Sequence, residues 1–346
     1  MRHLVLLFFF VIGVLSSGCA AVDTVDSRLD AVNRTINDAR NQSILLNIAR
    51  ASYGHPLNFV SISNIGGGGS VGGGMGLPNF TFGPGLTEAQ RQYTFGGNSI
   101  NGSVNGSFSI NPLESKEFYT GLLAPLDLKT AQFFIAQGFP KELVFYLFVD
   151  GLTLRTPSGI VYVANDPDSP AFPRFVDYMH RAVDYGLTLE NSGKTNAIRL
   201  CFDPALARKP LGKLQPVCRS NSAETGIRNF VEGAIGRVDV ELKVRSTYQI
   251  FQYIGQLSAR DGSKVTLVSP ELNRRSGTGS SPLFPVSHSI ASGPCLASVT
   301  YSGDYFCVPA TRNETGGRVI DLMTILVALT SSVRDLPPIQ NIRVTQ

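Results

Sequence analysis

Val238-Asp239-Val240-Glu241-Leu242-Lys243-Val244-Arg245 alternates an apolar with a charged side chain at every step, and Ser246-Thr247-Tyr248-Gln249 follows without a break. Period two is the mark of a strand with one face covered and the other wet. Ser246 and Gln249 stand at the spacing of a capping box, and Tyr248, Ile250, Phe251, Tyr253, Ile254 and Leu257 continue at helical spacing. The same succession occurs upstream. Ile160–Val163 reads as a short strand that leads past Asp166-Pro167 into a helix over about Pro170–Tyr185, closed by Gly186. Strand then helix, twice, predicts an α+β globular part.

Working outward, Asn111-Pro112 predicts a helix start reaching about Leu123, Asp127 caps another ending at Gly138, and Pro140-Lys141-Glu142 opens a third through Val149. Their apolar sides, with Phe118, Leu122, Phe133, Phe134, Leu143, Leu147 and Phe148 among them, are expected to form a helical core. Leu296–Tyr301 and Tyr305–Pro309 flank Ser302-Gly303-Asp304 as a hairpin. A last helix over about Arg318–Val333 precedes a strand-like tail, Ile339–Val344. Four cysteines fall in this region, and an even count in an exported chain reads as disulfides. Four cysteines allow three connectivities, and pairing sequence neighbours gives Cys201 with Cys218 and Cys295 with Cys307. The first bridge would contribute about 3 kcal/mol by constraining the unfolded chain. The cysteines have no C-x2-C spacing, so zinc is not expected.

Ahead of the globular part lies a stretch of different character. From Ala51 to Thr87, and again from Gln92 to Leu113, there is no Asp, Glu, Lys or Arg. In the second arm Ser99, Asn101, Ser103, Asn105, Ser107, Ser109 and Asn111 fill the odd positions, while Ile100, Gly102, Val104, Gly106, Phe108 and Ile110 fill the even ones. Such a strand carries one face of hydroxyls and amides and one apolar face over about 40 Å. The first arm begins as a strand at Leu57–Ile62 and dissolves into Gly66–Gly69 and Gly72–Gly74. Three placements are open: a hairpin that joins copies from other subunits in a closed barrel, a sheet covered by protein, and a flexible linker. Gly67, Gly69 and Gly72 satisfy a dinucleotide-binding spacing, but no helix follows.

Before the arm, Val22, Val25, Leu29, Val32, Ile36 and Ala39 recur at alternating steps of three and four. They predict a helix of about 25–30 residues that Gly54 caps and Pro56 ends, either a self-associating stalk or an amphipathic helix docked on its own domain. At the start, an apolar run from Leu4 to Leu15 follows Arg2 and His3 and closes on Ser16-Ser17-Gly18-Cys19. The run is shorter than the roughly 20 residues of a membrane-spanning helix and has the three parts of a secretory signal. Its end resembles a bacterial lipobox, with Ser16 where leucine is usual. The resemblance implies that residues 1–18 are removed and that Cys19 carries acyl chains; ordinary signal cleavage would instead discard Cys19. By resemblance to enterobacterial lipoproteins, Ala20 after the cysteine points to the outer membrane.

Without its leader the chain has 328 residues and 29 basic against 26 acidic side chains, with no polybasic block. That excludes disorder and argues against a nucleic-acid partner. Histidines are few: besides His3 there are His55, His180 and His288, none in a metal or serine-hydrolase spacing. Asp166, Asp168, Asp184, Asp203 and Glu190 fall at turns and helix ends, where carboxylates cap backbone groups. No catalytic residue, cofactor or metal is expected, and an enzyme is the third reading.

Ser109-Ile110-Asn111-Pro112-Leu113 with Phe118 and Leu122–Leu126, Arg245-Ser246-Thr247 with Tyr253-Ile254, and Val299-x-Tyr301 with Tyr305-Phe306 together resemble a group of proteobacterial lipoproteins without assigned activity. The resemblance spans most of residues 30–335. It implies an envelope lipoprotein, anchored at the outer membrane with its globular part in the periplasm, and transfers no catalytic residue. The expected organisation is a signal (1–18), a lipid anchor and amphipathic helix (19–54), a Gly/Ser/Asn-rich β-hairpin arm (55–111) and a disulfide-stabilised α+β domain (112–346). The expected role is a structural subunit of an envelope complex, a homo-oligomer or an assembly with other envelope proteins, with an oligomeric pore as one form. The alternative is a monomeric ligand- or partner-binding lipoprotein whose arm is a surface sheet or tether.

Overall fold

The computed structural model describes residues 25–69, 104–192, 197–210, 218, 227–228, 239–259, 265–268, 281–289, 293–311 and 315–330. The leader, Cys19, the arm positions Ser99, Ile100, Asn101 and Ser103, and the tail at 339–344 lie outside them. Residues 25–39, 65–69 and 104–108 fall in one compact unit and the other described residues in a second.

Helix α1 spans Val25–Ser52. Toward its end Ile44, Leu45, Ile48, Ala49 and Ala51 are inside, beyond the heptad positions that suggested it. The helix stops in a Schellman motif: His55 N–H returns to the Arg50 carbonyl at 2.9 Å and Gly54 N–H to that of Ala51 at 3.0 Å, with Gly54 at φ +68°. Phe59 then wedges between later helices, 5.4 Å from the Phe118 ring and 5.3 Å from that of Phe251. Strands β1, Val60–Gly69, and β2, Val104–Pro112, pair with each other. The first strand therefore runs through Gly66–Gly69, where alternation alone placed its end.

Helix α2 covers Lys116–Leu123 and is capped by Ser115, whose hydroxyl accepts from Phe118 N–H. The expected start at Asn111-Pro112 is corrected: Pro112 still belongs to β2, and Leu113 N–H is taken by the Phe59 carbonyl. Asp127 caps α3, Leu128–Ala136, as its sequence position required, and α4 follows at Lys141–Phe148. Of the apolar set expected in the helical core, the fold leaves Phe133 exposed. Next come β3, Val149–Thr156, and β4, Gly159–Ala164, then α5, Phe172–Asp184. The hairpin β5, Leu187–Ser192, with β6, Ala197–Phe202, was not anticipated, nor was β3. Beyond lie β7, Ile227–Arg228, and β8, Asp239–Val244, which leads through the expected Ser246–Gln249 capping box into α6, Thr247–Ser258. Short strands β9, Thr266–Leu267, and β10, Ser281–Pro282, precede the hairpin β11, Cys295–Tyr301, and β12, Asp304–Pro309, and then α7, Thr315–Thr330.

One antiparallel sheet of order β4-β3-β8-β7 organises the second unit. Leu152, Leu154, Val163 and Val240 point from one of its faces into the core. The other face carries Thr153, Tyr162, Glu241 and Lys243. Helix and strand are mixed, with small sheets, as the α+β reading expected. Both disulfides join sequence neighbours, Cys201 to Cys218 and Cys295 to Cys307. No described helix is long and apolar enough to cross a membrane.

Helices α1 and α6 pack closely at Gly255. A Cβ placed on Gly255 would come within 2.7 Å of both the Ala51 Cβ and the Ser52 nitrogen. Both helices are fixed by the core, so neither can yield by a side-chain rotation. Gly255→Ala should therefore lower stability by about 1–3 kcal/mol despite its better helix propensity, an outcome read by urea denaturation monitored by circular dichroism.

Candidate functional site

The joint between β8 and α6 holds the most unusual side chain of the second unit. Arg245 follows the last residue of the strand and precedes the cap of the helix, and only 3% of it is exposed. Its Nη1 donates to the carbonyls of Tyr146 at 3.0 Å, Leu147 at 3.3 Å and Val149 at 2.7 Å, the end of α4. Its Nη2 donates to the carbonyl of Asn165. Nε lies 3.7 Å from an Asp150 carboxylate oxygen, and the guanidinium sits 3.9 Å from the centre of the Tyr253 ring. Asn165, also buried, donates through Nδ2 to the Tyr146 and Val149 carbonyls at 2.9 and 2.7 Å.

Asp150 is the outlet of this network toward the surface. Lys243 Nζ lies 2.9 Å from it, and Tyr162 Oη donates to it at 3.0 Å. To reach it Tyr162 crosses directly over Gly151, where a Cβ would lie 2.5 Å from the tyrosine oxygen. Lys243 rests over the same ring, 5.6 Å from its centre. Burial pushes the Asp150 carboxyl upward, but Lys243, Arg245 and Tyr162 outweigh it and hold the group below its ordinary value. Burial, reinforced by Asp150, pushes Tyr162 up to about 12. Burial also raises Tyr146 and Tyr253, so both phenols stay neutral.

Beside this cluster a groove of about 820 Å³ is bounded by Leu123, Pro125 and Leu126 on one side and by Thr153, Glu241, Lys243 and Tyr248 on the other. Pro125 bridges to Ser246, and Leu126 N–H donates to the Arg245 carbonyl at 3.0 Å, so the groove wall hangs on the same joint. Its charged groups have partners: Glu241 pairs with Arg155 at 3.0 Å and Lys243 with Asp150.

Each described histidine has a hydrogen-bond partner. His180 Nε2 is 3.0 Å from the Thr266 carbonyl, His55 Nδ1 is 2.6 Å from Tyr301 Oη, and the two ring nitrogens of His288 face the carbonyls of Tyr305 and Ser258 at 3.1 and 3.0 Å. Three of the acidic residues noted in the sequence act as caps or pairs, whereas Glu190 lies within β5 opposite Arg199 and not at a turn or helix end. Asp166 accepts from Asp168 N–H, Asp203 from Ala205 N–H, and Asp184 meets Arg208 and Lys209. Among the described residues, the only cluster with metal-ligand geometry is Glu190 with Cys201 and Cys218. Those two sulfurs are bonded to each other, so neither offers a thiolate. Of the arm positions, Val104, Asn105, Phe108 and Ile110 lie on β2. Sequence reasoning missed Arg245 as a buried hub because it closes the charged set of an alternating strand; its position directly before a capping serine was the available signal.

No protein-family model, curated protein or solved structure matches the chain.

Replacing Arg245 with Met would leave Asp150 without its buried partner and several carbonyls without donors, and should cost about 3–5 kcal/mol. Arg245→Lys should recover little of that in the same denaturation measurement, because an ammonium lacks the planar fork. Asp150 gives a pH signature. Its folded value lies below the unfolded one, so its contribution is present above the unfolded value and is lost as pH falls through the folded one. Asp150→Asn should melt below the native chain at pH 7, with the gap closing under about pH 4.

Proposed function

We propose that the chain is a non-enzymatic lipoprotein, held at the outer membrane through acylated Cys19, which serves as a structural subunit of an envelope complex. The observation that carries the reading is the period-two stretch from Ser99 to Asn111, whose described part, β2, is hydrogen-bonded to β1. A two-stranded ribbon is marginal by itself and needs further strands or protein to cover it. Charge-free sequence on both arms suits burial against lipid or other subunits. The apolar run ending at Cys19 and the resemblance to proteobacterial lipoproteins support the location, and an oligomeric pore is one form such an assembly takes. A second reading, a monomeric lipoprotein that binds a partner, is favoured by the groove beside Lys243 and Tyr248.

The test is the mass of the particle extracted from membranes in mild detergent, measured by light scattering. The native chain should form a discrete oligomer, and removal of residues 99–110 should reduce its mass while the remaining domain stays folded. In the same preparations Cys19→Ser should move the protein from the membrane to the soluble fraction. A native monomer, at the 37.2 kDa of the full chain less its leader, would overturn self-assembly and leave the binding reading.

A further inference from the structure

His288 is held in a way that the other described histidines are not. Its Nδ1 faces the carbonyl oxygen of Tyr305 at 3.1 Å and its Nε2 that of Ser258 at 3.0 Å. A carbonyl oxygen only accepts, and a neutral imidazole has one N–H donor and one nitrogen lone pair. The neutral ring would therefore set a lone pair against one of the two oxygens. Both contacts are hydrogen bonds only when both nitrogens carry protons, which makes the ring a cation. His55 meets a hydroxyl, Tyr301 Oη, that can donate or accept, and His180 brings one nitrogen to the Thr266 carbonyl. Neither of those rings needs a second proton.

The two acceptors belong to different elements. Ser258 is the last residue of α6, and its carbonyl is one of those a helix end leaves without an intrahelical donor. A cation there also meets the negative end of the aligned peptide dipoles. On β12 the N–H and C=O of Cys307 turn away from β11 to Ser287, at 2.9 and 2.8 Å, and alternation turns those of Tyr305 the same way. That backbone pairing sets His288 beside the strand, with its ring edge-on to Phe306 at 4.9 Å between centres.

Few charges surround the ring. Residues 281–289, β11 and α6 contain no Asp, Glu, Lys or Arg, and Arg260 and Asp261, just after α6, lie outside the described residues. Asp304 on β12 accepts from the Tyr53 hydroxyl. Helix α7, which packs on β12 through Gly316 and Val308, carries Asp321 and Arg318, whose Nη1 donates to the Gly138 carbonyl. The remaining titratable groups are tyrosines, 248 and 253 on α6, 301 on β11 and 305 on β12, the last with its hydroxyl 3.5 Å from Cys295 Sγ.

We propose that His288 is a proton-operated clasp between the end of α6 and the β11–β12 hairpin. The protonated ring bridges the two carbonyls; on losing a proton it keeps one hydrogen bond and presents a lone pair to the other oxygen. Histidine is the side chain whose charge changes between about pH 5 and 8. The clasp is complete on the acid side of that range, and its contribution to stability is lost as pH rises through it. The turn end of the same hairpin is tied to the residues after α1, Tyr53 to Asp304 and His55 to Tyr301. The clasp therefore governs how firmly the hairpin is seated on α6, and it does not rest on the assembly reading.

The test uses the full chain labelled with 15N-histidine, its ring resonances read by NMR at about pH 5.5 and about pH 8, near the two ends of histidine's range. Loss of signals in His288→Gln identifies those of position 288. The expected result is two exchange-protected ring N–H protons from His288 at the lower pH and one at the higher. In thermal melts the native chain should exceed His288→Gln by about 2–4 °C at the lower pH, and the gap should shrink at the higher. Taking the difference between the two chains cancels titrating groups that both share. His288→Phe, which keeps a ring against Phe306 and removes both donors, should melt as His288→Gln does. A single protected N–H at both pH values, or a melting gap that does not change with pH, would overturn the clasp.

Discussion

A guanidinium taken out of water must find a partner for each of its donors, or the burial costs several kcal/mol. Arg245 meets that demand with backbone carbonyls, which ties the ends of four elements to one planar group: α4 ends, β3 begins and β4 ends on its carbonyl acceptors, while the cap of α6, Ser246, is the next residue. The arrangement fixes directions as well as distances, because the fork is rigid. With the ends of β3 and β4 held this way, Asp150 is turned to the outer face of the sheet. Tyr162 then lies flat over Gly151, and the groove wall at Pro125 and Leu126 is hung from the arginine's own carbonyl.

Helix α4 is charged in the sense its dipole prefers at both ends. Glu142 sits in its first turn, fully buried, and both carboxylate oxygens accept from Val268 N–H, at 3.1 and 2.8 Å. Arg245 occupies the carbonyl end. An acid at the N-terminus and a base at the C-terminus each lower the energy of the aligned peptide dipoles. Between them every residue from Glu142 to Phe148 is inside. A short helix with no exposed face in this stretch has little intrinsic stability, so these end contacts and the core around it carry the element.

What could be read from the chain alone was local. Ser246 with Gln249, Asp127 before Leu128, and Gly54 before His55 each act within one turn, so their residue types announce them. The disulfides followed from four cysteines that fall in two pairs close in sequence. What could not be read depended on partners far along the chain. Strand β3 was hidden because Asp150 and Gly151 are poor strand formers, and their reasons lie in Lys243 and Tyr162. The α2 boundary moved because Phe59, more than fifty residues earlier, takes the N–H of Leu113. Arg245 looked like one more solvated charge because alternation reports which face a residue is on, not whether another element covers that face. The period-two arm was legible as a pattern, while the position of β4 at the edge emerged only with the order of strands in the sheet.

The spacing of the two disulfides bears on biosynthesis. Cys201 reaches Cys218 across 17 positions and Cys295 reaches Cys307 across 12, and neither loop encloses the other. A polypeptide leaves the ribosome, and any export channel, N-terminus first. Among these four thiols the first pair is therefore complete before either member of the second appears, and oxidation of the four in order of emergence yields the native connectivity. Such a chain depends on an oxidant for maturation and has little need of an isomerase to correct mispaired intermediates.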